Sequence, residues 1–157
     1  MEINKKLKIL SKIGKELNNA HITWAIGASL LLYLKGFLDD FQDIDIIIAE
    51  KDISKTKKIL LKLGKLEPEN PNIKYKTKKF LEFKVDCLDI DIIAGFTIVN
   101  NNQNFYFPLK QEDIKDYIEI NGINIPLQSV NEWRNYYSLM GRTEKVKIID
   151  DNIKNYH

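Results

Sequence analysis

The chain has very little sulfur, imidazole or guanidinium, and each scarcity closes a line of chemistry. Its 157 residues include one cysteine, Cys87, so no internal disulfide can form. Lying in a strand-like stretch, Cys87 reads as a small buried apolar side chain. His21 precedes a strand and His157 is terminal, and neither makes a convincing metal ligand or base. Arg134 and Arg142 are the only arginines among 24 basic residues. Charge of one sign is also missing: 24 basic side chains face 22 acidic ones, a net of +2, which argues against a nucleic-acid partner. No apolar run approaches the roughly 20 residues that a membrane-spanning helix needs. The start, Met1 to Lys6, leads into apolar residues spaced three and four apart, which reads against a signal peptide and for a cytoplasmic protein without a membrane partner.

The length predicts one unit, residues 1–157, with a helical C-terminal segment over about 129–155. Leu7, Ile9, Leu10, Ile13 and Leu17 recur at helical spacing, ending near Asn18-Asn19. A strand over 22–26 stops at Gly27, and Ser29 is placed to cap a short apolar helix closed by Gly36. A strand over 43–49 follows, then a helix capped by Asp52 or Ser54 and ended by Gly64; Lys55, Lys57, Lys58, Lys62 and Lys65 read as its solvated face. After a proline loop, 67–72, the pattern becomes mainly extended, with strands over 80–85 and 88–94 as antiparallel neighbours. Asn100 to Asn104 and Asn121-Gly122 read as hairpin turns. Ser129, with Glu132 three residues on, forms a capping box for a helix ended by Gly141, and a last helix begins near Thr143. The class is α/β (α+β), a mixed sheet flanked by helices.

Within this frame the sequence Asp43-Ile44-Asp45 opens a β-branched run, and Asp89-Ile90-Asp91 repeats the arrangement downstream. On a strand, alternate residues share a face, so each pair sets two carboxylates side by side. Like charges so placed repel, and a divalent cation with oxygen ligands is the simplest compensation. Upstream, Gly27-Ala28-Ser29 joins a strand to a helix. Gly27 allows a close backbone approach to a ligand, and Ser29 with the amides at the start of that helix can donate to phosphate oxygens.

Turn, short helix and Asp-x-Asp strand in this order resemble the nucleotidyltransferase superfamily, the DNA polymerase beta-like fold, in its small aminoglycoside- and lincosamide-type or minimal antitoxin-like members. The resemblance extends to the C-terminal helices, where Arg142 and Lys145 match an Arg and a nearby Lys. It implies Asp43 and Asp45, with Asp91 as third carboxylate and Asp89 as second choice, holding Mg²⁺; Asp43 or Asp45 would bridge two ions. It implies a nucleotide site at Gly27, Ala28, Ser29, Arg142 and Lys145. ATP or another nucleoside triphosphate would be the substrate, and a small molecule or a partner protein would supply the acceptor hydroxyl. The alternative is an inactive, antitoxin-like interaction module, and a homodimer or partner protein would suit so short a chain. Ala28 stands where a second glycine is common, tolerable if its φ stays negative, and 36–42 carries extra residues. Asp39-Asp40 reads as an exposed turn or as an attraction for a cationic acceptor. Trp24, Trp133, Tyr136 and Tyr137 are expected mostly in the core, although they can stack on a base.

Overall fold

A computed structural model describes residues 1–69 and 77–154. The second half of the predicted proline loop, 70–72, and His157 lie outside the described residues. Its main sheet has seven strands, β1 (Trp24–Gly27), β2 (Asp43–Ile48), β3 (Lys65–Leu66), β4 (Lys79–Val85), β5 (Leu88–Ala94), β8 (Asp116–Ile120) and β9 (Ile123–Leu127), while β6 (Phe96–Asn100) and β7 (Gln103–Phe107) form a separate hairpin. The order in the main sheet is β3-β4-β5-β2-β1-β9-β8. Pairing is mixed: β2 runs parallel to β5 and β1 parallel to β9, and the remaining pairs are antiparallel. Among the described residues five α-helices complete the fold, α1 (Ile3–Asn19), α2 (Ala28–Leu34), α3 (Ile53–Leu63), α4 (Val130–Leu139) and α5 (Thr143–Lys154). None of the described helices is long and apolar enough to cross a membrane.

The helix α1 forms as its periodicity predicts, and Ile9, Leu10, Ile13 and Leu17 are buried. Gly14 keeps that face flat, since a Cβ there would come within 2.8 Å of Ile125 Cδ1 and 3.2 Å of the Trp24 ring. The strands alternate as the sequence demands. Ile44 and Ile90 are fully buried between acidic neighbours on the other face, each contributing about 1.5–3 kcal/mol by leaving water. The extra loop 36–42 is pinned from α1: Lys6 is buried, and its Nζ donates to Asp40 Oδ1 at 3.0 Å and to the Phe41 carbonyl. Phe41 packs against Tyr33 of α2, ring centroids 5.2 Å apart. Asp40 is therefore occupied with Lys6, and the Phe41 clamp sets the entry of β2 two residues before Asp43.

Several expectations need correcting. Cys87 is exposed rather than buried, since it forms with Asp86 the two-residue β4–β5 turn, both in the left-handed region (φ 72° and 48°) that such hairpins require. The β6–β7 turn is Asn101-Asn102 alone, because Asn tolerates the two positive φ values and lets Asn100 and Gln103 pair. Asp52 precedes α3 without capping it; its carboxylate instead accepts from the Thr23 N–H at 2.9 Å, tying the helix start to β1. Lys65 lies in β3, beyond α3. The N-cap at Ser129 forms, with Oγ accepting from the Glu132 N–H at 3.0 Å.

Candidate active site

Parallel pairing of β2 with β5 sets Asp43 opposite Asp89 and Asp45 opposite Asp91. The neighbouring strands extend each row, with Glu82 opposite Asp91 from β4 and Gly27 opposite Asp45 from β1. Paired residues in register share a face, so Glu82, Asp91, Asp45 and Gly27 lie in a line across the sheet. One carboxylate oxygen from each of Asp43, Asp45 and Asp91 lies within 4.8 Å of the others. Asp89 stays outside this cluster, exposed and paired with Lys84 at 3.5 Å.

Burial and mutual repulsion shape the electrostatics. Burial chiefly, then the charge of Asp43, pushes the Asp91 carboxyl up to about 7. Burial, followed by Asp43 and Asp91, holds Asp45 well above the usual carboxylate range, and the two acids share a hydrogen bond. Asp43 is raised as well, by burial and then by Asp89. Without a cation the cluster retains protons that carboxylates ordinarily release near pH 4. Three hard oxygen donors at this spacing fit a divalent cation, whose charge would favour their ionisation.

Facing the acids is a basic and hydroxylic side. Lys145, in the first turn of α5, donates through Nζ to Ser29 Oγ at 3.2 Å and lowers Asp43 and Asp45. The Tyr137 phenol lines the same cleft as Ser29, and burial followed by the charge of Asp45 drives it strongly upward. Arg142 is exposed, ion-paired with Glu144 at 2.6 Å and set over the Tyr137 ring at 5.8 Å. These residues line a cleft of about 310 Å³ that also includes Ala28, Phe96, Trp133 and Met140. A second groove of about 680 Å³ shares Asp43 and Asp91 with it and is lined by Glu67, Glu69, Glu82, Asp89 and Lys84.

The predicted turn is in place, but for different reasons. Gly27 is extended (φ −129°), a conformation open to any residue. A Cβ there would stand 2.5 Å from the Trp133 indole, so packing against α4 is what requires glycine. Ala28 does not meet the condition of a negative φ: it adopts +56°, a left-handed strain of roughly 1–2 kcal/mol for a residue with a Cβ. Ser29 does not cap α2; Gly27 occupies that position, and Ser29 is left to meet Lys145. Trp133 and Tyr137 are core residues as expected, both 3% exposed. Their position as the wall of the cleft was the part missed, and its available signal was their i, i+4 spacing on one helical face. Neither Asp39 nor Asp40 lines the cleft or the acidic groove.

No family model matches the sequence, and neither does any curated protein. Solved structures do match. TM1012 of Thermotoga maritima, itself a nucleotidyltransferase by assignment only, superposes with a TM-score of 0.73 at 23% identity over 99% of this chain and 96% of that one. ANT(2'')-Ia, solved with adenylyl-2''-tobramycin, gives 0.64 at 12% identity over 95% and 90%. The lincosamide antibiotic adenylyltransferase LnuA, solved with lincomycin bound, gives 0.62 at 18% identity over 91% and 95%.

Proposed function

Taking the nucleotidyltransferase fold as premise, we propose that this chain transfers a nucleoside monophosphate, AMP from ATP in the first instance, to a hydroxyl group of an acceptor. The observation that carries the reading is the meeting of Asp43, Asp45 and Asp91 within 4.8 Å on one sheet face, directly across from Lys145 and Ser29. Asp43, Asp45 and Asp91 would hold Mg²⁺, which when bound supplies charge stabilisation for the reacting phosphates and acidifies an attacking hydroxyl. The protein's own groups divide the work by sign. Lys145 and Ser29, with Arg142 at the rim, bind the triphosphate, because ammonium and hydroxyl donors match phosphate oxygens. Tyr137, kept protonated by its surroundings, adds a hydroxyl beside them. The acceptor oxygen then bonds to the α-phosphorus as the bond to the departing pyrophosphate breaks, and the hydroxyl proton is released.

The acceptor belongs on the opposite side. Among the described residues, the groove beyond Asp91 carries Glu67, Glu69, Glu82 and Asp89 against Lys84, which is already paired with Asp89. Such a groove repels a triphosphate and attracts ammonium groups, and ANT(2'')-Ia and LnuA bind the antibiotics tobramycin, as its adenylyl derivative, and lincomycin. A small molecule bearing both hydroxyl and amino groups is therefore the acceptor class proposed. The test is pyrophosphate release from Mg·ATP across a panel of amino-bearing and neutral polyols. Turnover confined to amino-bearing members is the expected result. Turnover on neutral polyols alone would refute the acceptor class, and turnover on none, with ATP bound, would favour an interaction module.

A further inference from the structure

The turn Gly27-Ala28-Ser29 has no local support for its shape. Ala28 sits at φ +56°, and no side chain caps the start of α2. A strained residue persists only where its surroundings over-determine it. Those surroundings come from α4 and the residue just before its cap. Gln128 is 8% exposed, and its Oε1 accepts from Trp133 Nε1 at 2.7 Å. The Gln128 backbone N–H donates to the Ile26 carbonyl at 3.0 Å, one residue ahead of Gly27. The indole so oriented fills the space that a Gly27 Cβ would take. One helical turn later Tyr137 packs against Trp133, ring centroids 5.3 Å apart, and lines the same cleft as Ser29. The turn is packed from α4 by Trp133 and Tyr137, while β2 pairs with Gly27 and Lys145 of α5 donates to Ser29; within this frame the orientation of the Trp133 indole depends on one carboxamide.

We infer that Gln128 is a positioning residue: by orienting Trp133 against Gly27 it clamps the Gly27-Ala28-Ser29 turn in the left-handed form that presents Ser29 to the nucleotide. The functional half rests on the proposed nucleotidyl transfer, and the conformational half stands without it. An alternative role, satisfying a buried indole N–H and nothing more, makes a different prediction about Ala28. If Gln128 opposes backbone strain at Ala28, then Ala28→Gly, which removes the strain because glycine takes positive φ freely, compensates for losing Gln128. A purely structural hydrogen bond is not repaired by glycine at residue 28.

Gln128→Met keeps the side-chain length and removes the acceptor, whereas Gln128→Glu keeps an acceptor. Two readouts separate the halves: hydrogen exchange without ligand of the amides of residues 31–34, whose helical acceptors are the carbonyls of 27–30, and Mg·ATP affinity by calorimetry. Gln128→Met is expected to speed exchange over 31–34 by about tenfold and weaken Mg·ATP by about tenfold, the scale of one lost buried hydrogen bond, with exchange in α1 and β5 unchanged. Gln128→Glu stays near wild type, and adding Ala28→Gly to Gln128→Met restores both readouts to within about threefold. Unchanged exchange in Gln128→Met, or no recovery with Ala28→Gly, overturns the clamp. Should Gln128→Met fail to fold, Gln128→Asn, one methylene short of Trp133, carries the same expectations. A wild type that binds no Mg·ATP but shows the exchange pattern refutes the functional reading and leaves the clamp standing. ATP binding without the exchange pattern does the reverse.

Discussion

Replacing Asp91 by Asn is expected to stabilise the metal-free protein at alkaline pH and to destabilise it, relative to wild type, once Mg²⁺ is present. The folded Asp91 carboxyl titrates at about 7 against an ordinary value of 3.8. A raised acid binds more protons folded than unfolded, so stability falls as pH rises between these values; the penalty is absent below about pH 4 and complete above about pH 7. The difference of roughly three units corresponds to about 4 kcal/mol, which water reaching the half-buried cleft reduces to about 2 kcal/mol. Asn keeps the volume and removes the charge, so the variant escapes this penalty. At about 2–4 °C per kcal/mol for a chain of this size, Tm should rise by roughly 4–8 °C at pH 8 in EDTA and change little at pH 4. Mg²⁺ at a hundred times its Kd would stabilise wild type by about 2.7 kcal/mol and the variant by far less, reversing the order. Thermal melts at the two pH values, with EDTA and with Mg²⁺, measure all of this. Equal destabilisation by Asp91→Asn at both pH values in EDTA would refute the reasoning, because it would make Asp91 a structural hydrogen-bond partner rather than a repelled charge.

Lys145→Met should weaken Mg·ATP by about tenfold or more, the scale of one charged hydrogen bond, with little change in Tm; calorimetry and a melt decide it. Asp89→Asn should leave Mg²⁺-dependent ATP binding within about twofold of wild type, because its carboxylate stands outside the metal cluster and its surface pairing with Lys84 contributes little; loss of that binding would return Asp89 to the metal cluster. Gly27→Ala should cost about 1–3 kcal/mol by overpacking against Trp133, read as a lower Tm that Trp133→Phe partly restores, since its backbone angles already suit alanine.

Local chemistry written into the sequence was legible, and chemistry that depends on the approach of distant segments was not. Alternation marked Asp43 and Asp45 as facing one way, and the repeat at Asp89 and Asp91 marked a partner strand, since period two is intrinsic to extended backbone. The β2–β5 register then distinguished Asp91 from Asp89, a choice parity alone leaves open because both share a face. Gly27 was found as a motif residue but for the wrong physical reason, since Trp133 lies over a hundred positions away. Ala28 was judged tolerable only at negative φ, and the sequence did not reveal that the turn takes it to +56°. Cys87 looked like part of a strand because it stands between the strand patterns of 80–85 and 88–94, yet the hairpin needed two turn residues and placed it outside. The acidic groove joins Glu67 and Glu69 to Glu82 and Asp89 across separate segments, so no window of sequence contains it.

The most direct measurement is ATP binding by calorimetry with Mg²⁺, with EDTA, and in the Asp43→Asn, Asp45→Asn double variant, alongside circular dichroism to confirm that the variant is folded. Binding that requires Mg²⁺ and disappears in a folded double variant is the predicted result. No binding by the wild type, or equal binding by the double variant and in EDTA, would contradict a metal-dependent nucleotidyl-transfer site at these carboxylates.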